Sequence, residues 1–300
     1  MDGPNAVTVS AEGFGLRGPR GWAFRGVDID AEPGALVAVE GPSGSGRTCL
    51  LLALTGRMRP TEGAASVGPF RLPKQLSAVR RVSALAHVPG VTDLDPALTV
   101  EEHLRERALL QRRFDGSLRA LLRPRAERAA ASRLRIGTAL AAAGLDRESL
   151  PKGTRTAVRD LERIEALRLS VALALIGRPR LLGVDDTDLK LSDAERAEVW
   201  DLLRSVAESG TTVVAVCSEA PKDAVVVSTA PAEKAESTAK AEKAENAANA
   251  ANAANAANAA NAANAANAAN AEKATQDETV KNENKNKKET ADALAEAGRA

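Results

Sequence analysis

The stretch Gly41-Pro42-Ser43-Gly44-Ser45-Gly46-Arg47-Thr48 decides the fold, because it has the spacing of a phosphate-binding loop, G-x-x-x-x-G-K-[ST], with Arg in place of Lys. In such a loop the glycines let backbone N–H groups curl around a β-phosphate, and the hydroxyl binds Mg²⁺. We therefore assign the anion nest to the three glycines and the metal-ligand role to Thr48. A purely structural glycine turn is the alternative interpretation.

The residues on either side of this loop favour phosphate binding. The apolar residues 36–39 predict a buried strand, and residues 49–54 predict the start of a helix. A loop between a strand and a helix N-terminus is the setting that phosphate binding needs. Arg47 keeps the positive charge of the usual Lys but is bulkier, so we expect binding to tolerate it better than the geometry for catalysis.

Composition excludes several classes of protein. The 300 residues carry a net charge of +1, with 41 Lys and Arg against 40 Asp and Glu, which argues against a dedicated nucleic-acid surface. Cys49 and Cys217 lie far apart in apolar segments, which is typical of core residues in a reducing compartment. No apolar run approaches the roughly 20 residues that span a bilayer, and no signal peptide begins the chain. We expect a cytoplasmic protein with no membrane span of its own.

The composition changes sharply at residue 221. Residues 221–300 are rich in Ala, Lys, Glu and Asn, with Asn at every third position from Asn246 to Asn270. A segment with so few large apolar residues cannot bury enough surface to offset the entropy lost on ordering. We therefore expect one packed domain over residues 1–220 and a low-complexity, disordered tail over residues 221–300.

Hydrophobic periodicity predicts alternating strands and helices in the first 220 residues. The predicted segments are antiparallel strands over 7–29, a loop over 56–68, helices within 99–143, a buried helix over 160–176, buried strands over 181–186 and 211–217, and an amphipathic helix over 193–209. This order predicts an α/β fold with a mostly parallel sheet, an antiparallel strand subdomain and a helical subdomain inserted at about 99–165.

Two carboxylates directly follow the predicted strand that begins at Leu181. Asp185 can hold Mg²⁺ opposite Thr48, because a strand-terminal Asp is the usual second magnesium residue of phosphate-loop proteins. Asp186 stands where a general base would polarise the attacking water. Acidic residues are common after strands, so an ordinary surface loop is the alternative interpretation.

Over about residues 5–220 the chain resembles the ATP-binding subunit of ABC transporters. The order and spacing of several segments carry the resemblance: 41–48, Pro60-Thr61-Glu62-Gly63, Leu98-Thr99-Val100-Glu101-Glu102-His103-Leu104, Gly177-Arg178-Pro179-Arg180-Leu181-Leu182 leading to Asp185-Asp186, and 212–218. The resemblance implies an ABC-type P-loop NTPase.

The same resemblance implies a set of site residues. ATP would bind to Gly41, Pro42, Ser43, Gly44, Ser45, Gly46, Arg47, Thr48 and Cys49, and Mg²⁺ to Thr48 and Asp185. Phe14, or alternatively Trp22, would stack on the adenine, although either could instead be a core aromatic. Asp186 and Ser218 would occupy the catalytic positions.

The chain departs from the family at the residues that perform chemistry. The family signature Leu-Ser-Gly-Gly-Gln aligns with Leu161-Glu162-Arg163-Ile164-Glu165. Asp186 replaces the catalytic Glu, Ser218 replaces the switch His, and the usual Gln has no match, His87 and Gly90 being its nearest occupants. Otherwise His87 and His103 read as surface or helix-face residues. Because phosphoryl transfer depends on positioning and on charge stabilisation, these losses predict weak or absent turnover.

The resemblance implies an ATP-binding subunit that docks on a membrane permease at the inner face of the cell membrane. It would form a homodimer or a heterodimer with an ABC-type ATPase subunit. The alternative is a catalytically inactive, nucleotide-binding regulatory or assembly partner of an intact ATPase subunit. A small-molecule kinase, with residues 119–135 as an Arg-rich lid, and a GTPase are two further alternatives. The ABC-like spacing around residues 119–135 argues against the kinase, and the missing Asn-Lys-x-Asp segment argues against the GTPase.

Overall fold

The computed structural model describes residues 6–114, 124–188 and 191–230. The chain divides into two units, Met1–Pro231 and Ala232–Ala300, and all the described residues belong to the first. The elements in chain order are β1 Val9–Gly18, β2 Gly21–Ala31, β3 Leu36–Glu40, α1 Arg47–Leu54, β4 Glu62–Val67, β5 Phe70–Leu72, α2 Leu76–Val82, β6 Ser83–Ala86, α3 Val100–Phe114, α4 Arg125–Ala142, α5 Arg163–Leu175, β7 Leu181–Val184, α6 Asp193–Glu208, β8 Thr212–Val216 and β9 Val225–Ser228.

A parallel sheet of five strands, in the order β6-β7-β8-β3-β9, lies at the centre of the described chain. Strands β6, β7, β8 and β3 are buried on both faces, whereas β9 at the edge is mostly exposed. In β3, Leu36 and Ala38 belong to one core cluster, and Val37 and Val39 to the other. A strand covered on both faces needs apolar residues at every position, because successive side chains point to opposite faces. This is why the sheet strands read as continuous apolar runs in the sequence.

A second sheet is antiparallel, with the order β2-β1-β4-β5. Strand β4 lies inside the region predicted as a loop, so that prediction is wrong. The strand escapes a pattern search because its sequence, Glu-Gly-Ala-Ala-Ser-Val, has mostly small side chains and no large apolar alternation. It is held by backbone pairing with β1.

The two sheets confirm the predicted fold class, an α/β protein with a mostly parallel sheet and an antiparallel strand subdomain. Helices α3 and α4 and two 3₁₀ turns, Gly153–Arg155 and Val158–Asp160, lie between β6 and α5, in the interval predicted for the helical insertion.

The domain boundary predicted at residue 220 falls too early. Strand β9 follows it and pairs in parallel with β3, from Val37↔Val225 to Glu40↔Ser228. Its short run of three valines is apolar enough to complete the sheet, but it stands at the start of an alanine-rich segment that hides it. The predicted tail from residue 231 onward lies outside the described residues.

Candidate nucleotide site

The loop between β3 and α1 can be built only with glycine at its bends. Gly41, Gly44 and Gly46 have φ values of 149°, 82° and 84°, which side chains disfavour. A Cβ atom on Gly46 would lie 2.0 Å from the carbonyl oxygen of Ala23 on β2. The glycine spacing thus serves both the curl of the loop and its close contact with the β1–β2 hairpin.

The N-terminus of α1 opens toward this loop without a side-chain cap. Its N-cap residue is Gly46, no side chain accepts a hydrogen bond from the cap region, and no acidic residue stands in the first turn. The first N–H groups of a helix have no partners within it, and the helix dipole adds a partial positive charge there. Such an end favours an anion, and a phosphate group suits it.

Thr48 and Asp185 meet at the mouth of the loop, although 137 residues separate them. The Thr48 hydroxyl donates to Asp185 Oδ2 at 2.7 Å, and the Asp186 N–H donates to Asp185 Oδ1 at 3.0 Å. Asp185 is only 2% exposed, and burial raises the pKa of its carboxyl group, while these two hydrogen bonds partly offset the rise.

This pair of oxygen donors fits Mg²⁺. The ion prefers hard oxygen ligands and usually keeps several waters, so one or two protein groups beside a phosphate are enough. Within residues 6–114, 124–188 and 191–230, no cluster of three or more His, Cys, Asp or Glu side chains could hold a metal without such help.

Arg47 also lies at this edge of the parallel sheet. Its Nη1 donates to the carbonyl oxygen of Cys217, just after β8. One arm of the guanidinium is therefore tied to the backbone. Because the planar fork carries five N–H donors, this bond leaves Arg47 chemically able to contact an anion as well.

The two cysteines lie beside the loop as weakly acidic thiols. Cys49 is partly buried, and burial, followed by the charge of Asp185, raises the pKa of its thiol. Cys217 is buried, and burial is the main cause that raises its thiol pKa to about 12. Both thiols are therefore protonated at neutral pH, which makes them poor nucleophiles.

Asp186 and His87 follow neighbouring parallel strands, β7 and β6. Both have positive φ values, 48° and 51°, and both are partly buried. Burial lowers the pKa of His87, whereas the charges of Asp186 and Asp185 act in the opposite direction. Strain of this kind in residues other than glycine often occurs at functional sites.

The structure thus brings the partly buried His87 to the edge of the sheet that carries the two aspartates, and not onto a helix face. His103 lies on helix α3, as its helix-face interpretation predicted, but it is buried, and its Nε2 lies 3.2 Å from the carbonyl oxygen of Asp95.

Ser218 lies just after β8, on the same edge of the sheet. Its backbone N–H donates to a carboxylate oxygen of Asp188, while its side chain is exposed. Asp188 thereby links the segment after β7 to the segment after β8. Ser218 itself brings a small hydroxyl and no positive charge.

Phe14 cannot stack on a nucleotide base, so that prediction is wrong. Its side chain is 0% exposed and packs against Phe24, with ring centroids 5.7 Å apart. Trp22, the alternative, is 36% exposed and directly precedes Ala23, the residue that touches Gly46. The guanidinium carbons of Arg25 and Arg17 lie 4.7 and 5.7 Å from the centroid of its ring.

A second helix N-terminus, that of α5, has the opposite character. Its N-cap is Glu162, and Glu165 stands three residues later, so that the two form a capping box. The Glu162 N–H donates to Glu165 Oε2 at 2.9 Å. This is the position where the family signature would lie, and the acids of the chain itself occupy it.

Comparison with known proteins identifies the family. The sequence pattern of the family described as "ABC transporter" matches residues 24–188, which is 165 of the 300 residues. This chain belongs to the ABC transporter family. The predicted resemblance to its ATP-binding subunits is therefore confirmed.

Several ABC proteins are about one third identical to this chain over the aligned residues. The cytochrome c biogenesis ATP-binding export protein CcmA of Pseudomonas putida (strain GB-1) is 32% identical over 212 residues, which covers 69% of this chain and 89% of that protein. The daunorubicin resistance ATP-binding protein DrrA3 of Streptomyces coeruleorubidus is 32% identical over 192 residues, covering 64% of this chain and 54% of that protein. The chain thus spans only about half the length of some curated ABC relatives.

A solved ABC structure shares the fold. The ATP-binding cassette MJ0796, solved as a dimer in a post-hydrolysis state with ADP and Pi, superposes with a TM-score of 0.54 at 23% identity. The match covers 70% of this chain and 88% of that chain. At this level of identity, the likeness supports the fold of the ABC ATP-binding domain and nothing finer.

Proposed function

We propose that this chain is the ATP-binding subunit of an ABC transporter-like complex and that it binds Mg²⁺-ATP at residues 41–49. The observation that carries the proposal is the Thr48–Asp185 hydrogen bond beside an uncapped helix N-terminus. Two magnesium ligands, Thr48 and Asp185, and an anion nest at the same edge of a sheet form the two halves of a site for a nucleoside triphosphate.

Each part of ATP has a matching group. The phosphates would lie on the N–H groups of the loop, with Arg47 as the nearby cation, and Mg²⁺ would be held by Thr48 and Asp185. When bound, the metal neutralises charge on the phosphate oxygens. Trp22 supports a base position, because its partly exposed indole lies on the hairpin that touches Gly46, and flat aromatic faces stack on bases.

We expect turnover to be weak or absent. Asp186 would polarise the attacking water, but its carboxylate is one methylene shorter than that of the usual Glu, which changes its reach. Ser218 cannot carry a positive charge toward developing negative charge. The capping box on α5 places carboxylates where the signature segment would offer hydrogen-bond donors.

The second candidate function is an inactive nucleotide-binding regulatory or assembly partner. The capping box on α5 favours it. By family resemblance the signature of one subunit faces the nucleotide of the other, so a homodimer of this chain would carry that defect twice. A heterodimer with an intact ABC-type ATPase subunit would carry it once.

The proposed partners are a membrane permease and an ABC-type ATPase subunit. We place this subunit in the cytoplasm, peripheral at the inner face of the cell membrane. Among the described residues no helix combines the length and the apolar character needed to cross a bilayer. The ATP-binding domain would extend to about residue 230, and the low-complexity region would begin thereafter.

Calorimetric titration of the full-length chain with Mg²⁺-ATP tests nucleotide binding, with phosphate release followed in parallel. We expect saturable binding of one ATP per chain, with phosphate release close to background. Absence of binding at millimolar ATP would overturn the proposal, and rapid release would overturn its prediction of weak turnover.

Mixing with an intact ABC ATPase subunit separates the heterodimer from the homodimer. In a heterodimer the rate of ATP hydrolysis per intact subunit rises as this chain is added. An unchanged rate over a concentration series would contradict the heterodimer.

A further inference from the structure

The last strand of the described chain ends against the back of the phosphate loop. Strand β9 runs parallel to β3, and Thr229 follows it directly. The Thr229 N–H donates to the carbonyl oxygen of Glu40 at 2.9 Å, which continues the ladder by one more bond. Thr229 is buried, at 7% exposed, so its hydroxyl needs partners inside the protein.

Those partners belong to the phosphate loop and to the strand before it. The Thr229 hydroxyl donates to the carbonyl oxygen of Glu40 at 3.1 Å and lies 2.5 Å from the hydroxyl oxygen of Ser45. A hydroxyl has one proton, and since Thr229 gives its own to Glu40, Ser45 must be the donor in the second bond. The three residues form a short relay, from Ser45 through Thr229 to the backbone of β3.

Gly41 closes the same unit. A Cβ atom on Gly41, whose φ is 149°, would lie 2.5 Å from the Thr229 hydroxyl oxygen and 2.8 Å from that of Ser45. The first glycine of the loop is therefore needed in part to make room for this pair of hydroxyl groups. Thr229, which is 188 positions further along the chain than Gly41, thus helps to determine the conformation of the loop.

We infer that Thr229 is a positioning residue for nucleotide binding, which fixes residues 41–45 in the shape that presents their N–H groups to phosphate. The inference rests on the proposed function, because it assigns Thr229 to the same site. Nucleotide affinity then depends on the docking of β9, the element that connects the domain to the low-complexity region.

The test uses the full-length chain and three substitutions, with Mg²⁺-ADP and Mg²⁺-ATP titrated by calorimetry. Thr229→Val keeps the shape and removes the hydroxyl, so the dissociation constant should rise about 5- to 10-fold for both nucleotides, the effect of one lost hydrogen bond. Thr229→Ser keeps the hydroxyl and should bind within about twofold of the unsubstituted chain, a rescue that simple packing would not give.

Thr156→Val is the matched control. Thr156 is also a buried threonine, and its hydroxyl accepts the Lys152 N–H at 3.0 Å in the connection between α4 and α5. Thr156→Val should lower the midpoint of thermal unfolding while leaving the dissociation constant for both nucleotides unchanged. If Thr229→Val fails to fold, Ser45→Ala removes the same bond from the loop side and should weaken binding by a similar factor.

The outcomes separate the inference from the proposed function. If the unsubstituted chain does not bind Mg²⁺-ATP, the proposed function fails. If it binds, and if Thr229→Val or, in its place, Ser45→Ala binds equally tightly, only the inference on Thr229 is overturned. Equal weakening by Thr229→Val and Thr229→Ser would also overturn it, because the hydroxyl would then not be the cause.

Discussion

Helices α1 and α5 both begin with backbone N–H groups that have no partner within the helix, but the side chains at the two N-termini differ. At α1 the N-cap is a glycine, no side chain caps the end, and no acid stands in the first turn. At α5, Glu162 and Glu165 form a capping box, in which the Glu162 N–H donates to Glu165 Oε2, and two carboxylates stand at the helix end. The comparison teaches that an anion site is decided by which groups are left unsatisfied, since both helix ends have the same dipole.

The difference also divides the proposed site into a retained half and a lost half. The retained half consists of the loop, Thr48 and Asp185, through which we propose that this chain binds nucleotide. The lost half is the one that the family signature would offer to the nucleotide of another subunit. On this proposal, a chain with only the retained half would bind ATP without being able to complete a second site.

The largest expected effect comes from deforming the loop at the uncapped N-terminus of α1. Gly46→Ala places a Cβ atom against the carbonyl of Ala23 at a strained φ, so the loop must deform. We expect the affinity for Mg²⁺-ATP to fall by roughly 100-fold or more, with a stability loss of about 1–3 kcal/mol. Calorimetry and thermal unfolding measure the two effects.

Gly137→Ala in α4 is the control for that change. A Cβ atom there meets nothing within 4 Å, and helical Gly→Ala replacements stabilise by about 0.5–1 kcal/mol. Unaltered affinity in Gly46→Ala would mean that ATP binds elsewhere.

Removing the guanidinium group of Arg47 at the N-terminus of α1 should have the next largest effect. Arg47→Ala deletes a group that can hydrogen-bond a charged phosphate, which is worth about 1.5–3 kcal/mol, or roughly 10- to 150-fold in the dissociation constant. Fluorescent nucleotide titration would measure it, with the exposed Arg105→Ala as the control. Unchanged affinity would show that Arg47 serves only the carbonyl of Cys217.

Asp185→Asn should weaken binding and stabilise the protein at the same time. We expect roughly tenfold weaker binding of Mg²⁺-ATP, and no change for ATP in EDTA, because only the metal contact is lost. Burial raises the pKa of Asp185 above its ordinary value of 3.8, so the folded protein prefers the neutral carboxyl.

The sign of the pH effect follows from that shift. The stabilisation is fully present below the ordinary pKa and is lost as pH rises through the raised one. Without nucleotide, Asp185→Asn should therefore melt above the unsubstituted chain at neutral pH, and this advantage should vanish at acid pH. A lower melting temperature for Asp185→Asn at pH 7 would contradict this.

The smallest expected effect comes from removing the capping box at the N-terminus of α5. The double substitution Glu162→Ala and Glu165→Ala removes the capping box and should cost about 1 kcal/mol of stability. The affinity for ATP should not change, because α5 takes no part in binding by the isolated chain. Chemical denaturation measures the first and calorimetry the second; weaker ATP binding would show that α5 belongs to the binding site.

Much of the fold could be predicted because its signals are local. The glycine spacing of 41–48 and the doubly buried strands β3, β7 and β8 leave clear marks in the sequence, as continuous apolar runs between turns. Asp185 could be proposed because it directly follows such a run. Strand β4 could not, since backbone pairing with β1 holds its small side chains in place.

The errors at the site have longer-range causes. Phe14 and Trp22 both lie in strands, and only the register shows that one faces the core while the other pairs with Arg17 at the edge. Irregularities between Ala11 and Arg17 shift that register, so simple alternation cannot be extended along β1. The role of Thr229 depends on pairing across 189 residues, from Glu40 to Thr229, and leaves no local mark.

Hydrogen–deuterium exchange with and without Mg²⁺-ATP tests the contrast between the two helix ends most directly. Amide exchange reports local opening and ligand protection peptide by peptide. The account predicts slower exchange in peptides that cover residues 41–54 and no change in peptides that cover 160–170. Unchanged exchange over 41–54, or equal protection at both helix ends, would contradict it.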